Sequence, residues 1–378
     1  MNSPDYNGHI PDELLPIFTK AEADILRRMA KRLADLKGIT GSSAYWIYRM
    51  QELGRTYDEI VDLLLDATDM SRDALIDLLN DAGVKTLRTD DAIHRAAGGN
   101  PTPLAESPAL QNIIWGGYAA TMGTLTNMCY SAAWYGTEQF AAVLDTAWFQ
   151  VSSGLLTYDQ AIKVGITELA RSGIAAVEYI SESGHHTLNY LDTVVRRAVL
   201  SGVNKTACDL QMARMSEMGC MFVETTAHLG ARPSHALWQG RIFQLVGSDL
   251  YPNFYTETGY GTGAGLGGWN CRHGFYPYYP GISEPANDAA MLIRLDTMSM
   301  LVNGEPMSYY DTTQAQRYNE RTIRAWKRRA EMLEAAGEDN TDALAKVAEW
   351  QARQRSLIAE TGLRRDYKRE RAGRQYAA

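Results

Sequence analysis

The stretch from Gly219 to Pro285 constrains this chain more than any other. It holds three of the seven histidines and two of the four cysteines, and its middle, Gly259 to Gly268, carries six glycines in ten residues. Tyr251, Phe254, Tyr255, Tyr260 and Trp269 flank that run. Glycine at this density permits positive φ and close backbone approach, and flanking rings can pin such a loop to a surface. An ordered loop is expected, not a linker. Met221 to Thr226 and Arg241 to Val246 read as two strands, because Ile, Phe and Val suit a pleated, half-buried surface. Between them Gly230 and Pro233 stop any helix begun at Thr225, and Ser234 is placed to cap a short turn carrying His235, Leu237 and Trp238 toward Gly240. A phosphate-cradling role for the glycines lacks its context, since no strand leads directly into the run and no helix follows it.

His228, His235, Cys271 and His273 supply the ligand types zinc prefers. Their spacing is not a standard zinc signature, because Cys-x-His is tighter than the usual gap between paired ligands. The favoured reading is therefore a structural network with no cofactor and no metal, zinc on those four residues being the alternative. In that network Arg232 and Arg272 pair with Glu224, Asp249 or Glu257, and imidazoles bond to backbone carbonyls of the glycine loop. His228, His235, Arg232 and Glu224 are also the ingredients for acid–base cleavage of a phosphodiester. Ser234 beside His235 lacks a nucleophile elbow, and no catalytic residue is assigned.

The ordered set His228-x-Gly-Ala-Arg232-Pro-Ser-His235-Ala-x-Trp238-Gln-Gly240, then Gly259-Tyr-Gly-Thr-Gly, then Gly268-Trp269-Asn270-Cys271-Arg272-His273 and Tyr279-Pro-Gly281-Ile-Ser resembles the tailed-phage minor capsid protein 2 family. More distantly it is similar to Mu F-type head morphogenesis proteins, in which an Arg and His segment precedes a Cys-Arg pair in a small α+β domain. The resemblance implies a structural protein of the virion, made in the host cytoplasm, present in few copies and associated with the portal and the capsid interior. Portal protein and major capsid or scaffold protein are then the expected partners, with a role in head assembly, DNA packaging or ejection. The alternative is an enzyme packaged in the virion and acting on nucleic acid or a host target.

Composition bounds these readings. A chain of 378 residues, 45% hydrophobic and 22% charged, is ordinary globular material. Cys129, Cys208, Cys220 and Cys271 show no CxxC spacing, and the acidic start with Asp5, Asp12 and Glu13 is not a secretory signal, so free thiols in a reducing compartment are expected. The net charge is −8, but residues 312–378 carry fifteen Lys and Arg against ten Asp and Glu, leaving −13 on the remainder. An acidic body argues against wholesale coating of nucleic acid. Packaged DNA or an acidic partner would be met locally, through Arg364, Arg365, Lys368, Arg369 and Arg371.

Along the chain the pattern is mainly α. An N-terminal helical region over 1–97, a second over 104–200, a motif-bearing α+β domain over 201–311 and a basic helical hairpin over 312–378 are expected. Phe18 to Leu36 places Ile25, Met29, Leu33 and Leu36 on one face, with Thr19 and Glu22 spaced as a capping box. Tyr57 to Leu65 and Ser71 to Leu79 repeat the pattern, the second opened by Ser71. Gly98 to Pro103 reads as a linker. Ser107 to Thr137 holds no charged residue or histidine, yet Gln111, Asn112, Thr121, Thr124, Thr126, Asn127 and Ser131 interrupt it, so no stable membrane span is expected. A buried helix pair fits, with Gly116, Gly117, Ala119, Ala120 and Gly123 allowing close approach. Helices are expected at Phe140 to Gln150, Tyr158 to Arg171 with a Thr157–Gln160 capping box, Ile174 to Glu182, Leu188 to Leu200 and Asn287 to Met300. His185-His186 reads as a solvated turn beside Gly184, and Asn303-Gly304 as a turn. In the tail, Thr312 to Ala336 and Asp342 to Glu360 form the hairpin, the second helix capped at Asn340-Thr341.

Overall fold

In the computed structural model, which describes residues 6, 9–180, 184–246 and 250–373, the chain is mainly α-helical, with three small antiparallel sheets among the described residues. Helix α1 (Leu15–Asp35) buries Ile25, Met29 and Leu33 on one face, with Leu36 buried just past its end, as residues three and four apart share a face. Its start is not the expected capping box. Leu14 is the N-cap, no side chain caps it, and a proline lies in the first turn, where a missing N–H is harmless. Thr19 and Glu22 are interior, and Glu22 turns into the core.

Helices α2 (Ser42–Met70) and α3 (Arg72–Ala96) outrun the expected segments. Ser71 stands immediately before α3; it is buried, its hydroxyl donating to Thr68 O at 2.7 Å. Helix α4 (Pro108–Ser152) is one continuous helix of 45 residues, not a pair. No proline follows Pro108 within it, and isolated glycines weaken a helix without breaking it. No helix among the described residues is long and apolar enough to cross a membrane.

Helix α5 (Tyr158–Ser172) opens with the capping box, Thr157 Oγ1 accepting from Gln160 N and Gln160 Oε1 from Thr157 N, at 3.3 and 3.0 Å. It stops at Gly173, φ 84°. The helix expected at Ile174 to Glu182 is replaced by a hairpin, β1 (Ala175–Ile180) with β2 (His186–Tyr190), residue Glu182 lying outside the described residues, whereas the helix expected over Leu188 to Leu200 is present, starting at Leu191 and running on past Leu200. Val177, Tyr179, Ile180, Thr187 and Tyr190 are β-branched or aromatic, and after the glycine stop they pair across a turn in preference to coiling. His186 opens β2, its Nδ1 2.8 Å from Glu178 Oε1.

Helix α6 (Leu191–Glu217) leads into the motif region, made of β3 (Phe222–Thr225), α7 (Pro233–Ala236), β4 (Ile242–Gln244), α8 (Phe254–Thr258) and β5 (Phe275–Tyr278). Helix α9 (Ala289–Thr297), capped by Asp288 Oδ1 accepting from Met291 N at 2.7 Å, is shorter than expected. It gives way to a hairpin of β6 (Ser299–Val302) and β7 (Glu305–Ser308), whose turn residues Asn303 and Gly304 both have positive φ, as a two-residue type I′ turn requires. Helices α10 (Tyr309–Ala335) and α11 (Thr341–Thr361) form the C-terminal hairpin, joined by Asn319 Nδ2 donating to Gln354 Oε1 at 3.1 Å. The capping carboxylate of α11 is Asp339, accepting from Thr341 N at 3.1 Å, and not Asn340.

The chain divides into two compact units, each assembled from three segments. The first comprises Met1–Glu13, Arg72–Gly123 and Arg196–Thr313; the second comprises Leu14–Ser71, Thr124–Val195 and Gln314–Ala378. Residues 201–311 fall within the first unit, whereas 1–97 and 104–200 each contribute to both.

In the first unit α4 and α6 approach through a reciprocal pair of contacts. A Cβ on Gly117 would lie 2.0 Å from Thr206 Oγ1, and one on Gly202 would lie 2.1 Å from Thr121 Oγ1. Each threonine hydroxyl donates to the carbonyl four residues back, Thr121 to Gly117 O and Thr206 to Gly202 O, both at 2.8 Å. Of the other small residues in α4, Gly116 and Gly123 face open space, and Ala119 and Ala120 are exposed.

In the second unit Glu22 and Arg328 form a buried ion pair at 3.2 Å around the Gly173 turn. Glu22 Oε1 also accepts from Ile174 N at 3.1 Å, and Arg328 Nη1 donates to Ser172 O at 3.2 Å. Nearby, Glu320 is buried beside Gln316, whose Nε2 donates to it at 3.1 Å. Burial, with Asp366 and Glu370 adding to it against Arg369 and Arg317, pushes the Glu320 carboxyl up to about 7.

Two outcomes are expected. Gly117→Ala and Gly202→Ala each lower stability by about 1–3 kcal/mol despite better helix propensity, whereas Gly116→Ala raises it slightly; thermal midpoints compare the three. A glutamate ionises near 4.3 when unfolded, so the wild type loses stability as pH rises from about 4 to about 7. Glu320→Gln removes that slope and gains about 2 kcal/mol on the wild type between about pH 5 and about pH 8, read by chemical denaturation.

Candidate functional site

Strand β3 is the middle of a three-stranded sheet of order β4-β3-β5, antiparallel to both neighbours, with Glu224 opposite Ile242 and Thr225 opposite Phe275. The chain leaving β3 and the chains entering β4 and β5 therefore meet at one end of the sheet. The histidine turn follows β3, and Cys271-Arg272-His273 precedes β5, so the topology brings them together. Thr226 N donates to Gly274 O at 2.9 Å, and Gly274 N donates to Thr226 Oγ1 at 3.0 Å. Val223, Phe243, Phe254, Leu266, Phe275 and Trp238 pack with Cys208 and Met215 of α6 into one buried cluster.

Helix α6 also holds the site by polar bonds. Asn204 Nδ2 donates to Cys271 O at 3.2 Å and His273 O at 3.1 Å. Gln211 Nε2 donates to Asp90 Oδ2 at 2.8 Å and to Phe275 O. Further along, the guanidinium of Arg214 is fully buried, paired with Asp91 at 2.8 Å and Glu217 at 2.6 Å, and Arg214 donates to Thr102 O in the Gly98 to Pro103 linker. His94 on α3 has its Nδ1 2.8 Å from the Tyr279 hydroxyl.

The glycine run is an ordered loop. Leu266 N donates to Thr258 O at 3.0 Å and Trp269 N to Gly263 O at 2.7 Å. At Gly265 a Cβ would lie 2.0 Å from Gly259 O, and at Gly268 one would lie 2.4 Å from Gly263 O. Backbone crossing backbone at that range excludes any side chain.

Inside this frame three donor atoms converge. His235 Nδ1 is 3.4 Å from His273 Nδ1, and Cys271 Sγ is 3.8 Å from each. All three residues are buried. The Trp238 ring lies 4.6 Å from that of His235 and 4.8 Å from that of His273, while His228 stacks on His273 at 4.4 Å. The outer nitrogens face oxygens, His235 Nε2 toward Ala264 O at 3.0 Å and His273 Nε2 toward Gln239 Oε1 at 3.4 Å. Burial holds His273 well below the ordinary histidine range, the neighbouring His228 and His235 adding to the effect, and lowers His235 as well. Burial likewise pushes the Cys271 thiol up. These groups are neutral near pH 7, with ligand chemistry suited to zinc.

The remaining motif residues are placed as follows. Arg232 is the N-cap of α7, which begins at Pro233; Ser234 is exposed and caps nothing. Arg232 Nη2 donates to Trp269 O at 2.6 Å, tying the turn to the far side of the loop. The expected pairing with Glu224 is not found. The Glu224 carboxylate is buried and accepts from Ala286 N, Asn287 N and Asn287 Nδ2 at 3.0–3.2 Å. Glu257 is exposed, Asp249 lies outside the described residues, and Arg272 is half-buried. Gly240 has φ 65°, and a Cβ there would lie 2.5 Å from Leu292. Trp269 is exposed, and Asn270 has φ 54°. The acid–base set of His228, His235, Arg232 and Glu224 is thus taken up in separate contacts, His228 Nδ1 lying 2.8 Å from Leu229 O. Gln239 was within the motif, but no spacing rule points to Asn204, nearly seventy residues from the carbonyls it holds.

In the second unit, the basic stretch is partly neutralised from within. Arg365 makes two bonds to the Glu370 carboxylate at 2.7 and 2.8 Å, and Arg369 pairs with Asp366 at 3.0 Å. Arg364 and Lys368 are exposed and Arg371 is half-buried.

The family model described as phage minor capsid protein 2 matches residues 3–359. A structural protein of Lactococcus phage LL-H is 25% identical over 366 residues, covering 92% of this chain and 93% of that protein. A structural protein of Lactococcus phage mv4 is 36% identical over 124 residues, 32% of this chain and 91% of that protein. No solved structure matches the chain. With the family match running through both compact units and across the whole histidine and glycine constellation, the chain belongs to the phage minor capsid protein 2 family.

Proposed function

We propose that this minor capsid protein, made in the host cytoplasm and built into the phage head, works at the portal vertex as a docking element and not as a catalyst. The observation that carries the reading is the rigidity of the motif region. Its histidine turn and glycine loop are bound to one another by side chains on main-chain oxygens, Arg232 on Trp269 O and His235 on Ala264 O, and the buried Glu224 carboxylate is occupied by backbone and amide donors. A group so bound is a fixed structural part, whereas proton transfer needs a partner within reach of substrate. Portal protein, and major capsid or scaffold protein, are the partners such a knob would meet. The exposed Arg364 and Lys368 are the tail residues best placed for local contact with packaged DNA, since both reach solvent.

Complementation of a phage lacking this gene tests the reading. Trp238→Ala, which removes about 3–5 kcal/mol of core packing, is expected to abolish incorporation into heads. His228→Ala is expected to leave particle composition and infectivity unchanged; particles of normal composition that fail after entry would instead favour a packaged enzyme. Arg364→Glu combined with Lys368→Glu is expected to leave incorporation intact and lower the DNA content of filled heads, measured in purified particles.

A further inference from the structure

We propose that His235, Cys271 and His273 bind one zinc ion, which clips the histidine turn to the end of the glycine loop. Bonds of about 2.0–2.1 Å to nitrogen and about 2.3 Å to sulfur at tetrahedral angles place two nitrogens about 3.4 Å apart and each nitrogen about 3.6 Å from the sulfur. The observed edges are 3.4 Å between the Nδ1 atoms and 3.8 Å from each to Sγ. The triangle is already of the size a tetrahedral ion needs.

The outer hydrogen bonds decide which nitrogens are bare. Ala264 O can only accept, so His235 Nε2 carries its ring proton and Nδ1 does not. For His273 the partner is Gln239 Oε1, and that amide is oriented at both ends. Oε1 accepts from His228 N at 3.1 Å, while Nε2 donates to Asp296 Oδ1 at 3.3 Å. His273 Nε2 therefore donates too, and its Nδ1 is bare. Two lone pairs face each other at 3.4 Å in a buried site, and the single thiol proton of Cys271 can serve only one of them. A cation bound to the thiolate and both nitrogens satisfies all three.

Histidines that donate the far N–H to a carbonyl oxygen are held in the orientation, and made more basic, in the way metal-bound imidazoles are. Two imidazoles and a thiolate suit zinc. His228 contributes a stacked ring and no donor atom to the cluster, which leaves three protein ligands and a fourth place for water. The ligands come from segments thirty-six residues apart, so the ion would act as a further cross-link between two loops that the sheet holds at their bases.

Metal analysis of the full-length chain, purified without chelator, is expected to give about one zinc per chain. Cys271→Ser and His273→Gln are each expected to lose it, and His228→Ala to keep it. Because those variants can fail to fold, the wild type is also loaded with cobalt, where a thiolate-to-cobalt charge-transfer band in the near ultraviolet is expected. Chelation is expected to lower the thermal midpoint, and added zinc to restore it. A wild-type chain that takes up neither zinc nor cobalt, a cobalt spectrum without the thiolate band, or loss of metal in His228→Ala would each overturn the assignment.

Discussion

Strand β3 is hydrogen-bonded on both sides, and the site depends on that constraint. Because β4 and β5 both run antiparallel to it, whatever follows β3 and whatever precedes β5 must emerge side by side. The histidine turn and the Cys-Arg-His segment are far apart in sequence yet are neighbours through four residues of pairing. Asn204 then fixes the height of the second segment by holding two of its carbonyls from α6. The buried rings of Phe254, Phe275 and Trp238 supply the apolar floor. Sheet, amide and floor are separate devices, and each acts on the same short piece of backbone.

Much of this was legible in the residues because local chemistry decides it. The ordered glycine loop, the capping box of α5, the Asn303-Gly304 turn and the glycine stops at 173, 337 and 362 are set by φ and by hydrogen bonds a few residues away. The misses share a cause. Ile174 to Glu182 has the look of a helix, but its β-branched and aromatic residues gain more by pairing across a turn with His186 to Tyr190. Thr19 and Glu22 have capping-box spacing, yet Glu22 is claimed by Arg328 and Ile174, over 300 and 150 residues away. Ser107 to Ser152 carries glycines that suggest a break, and tertiary packing keeps it helical. In the site the residue types are legible in the sequence, but the convergence of three donor atoms depends on the sheet topology, and Glu224 is taken by main-chain and amide donors and not by Arg232.

The charge balance also looks different in three dimensions. Residues 312–378 carry a surplus of basic side chains, but several are spent inside the second unit. Arg324 bonds Asp192, Arg328 pairs with Glu22, and Arg365 and Arg369 pair with Glu370 and Asp366. Charge-assisted bonds of this kind, sheltered from water, fasten α10 to α1 and to the first turn of α6, and brace the segment after α11 within itself. The acidic excess elsewhere is in part the complement of this surplus, so the net figure overstates the field that a DNA strand would meet.

The interlock of α4 and α6 bears on how such chains diverge. Gly117 is matched to Thr206 and Gly202 to Thr121, each glycine leaving the space its opposite threonine fills. Neither member of a couple can drift alone without opening a void or forcing the helices apart. Lineages descended from a common ancestor should therefore exchange these residues in concert, a glycine enlarging only where the threonine across from it has shrunk.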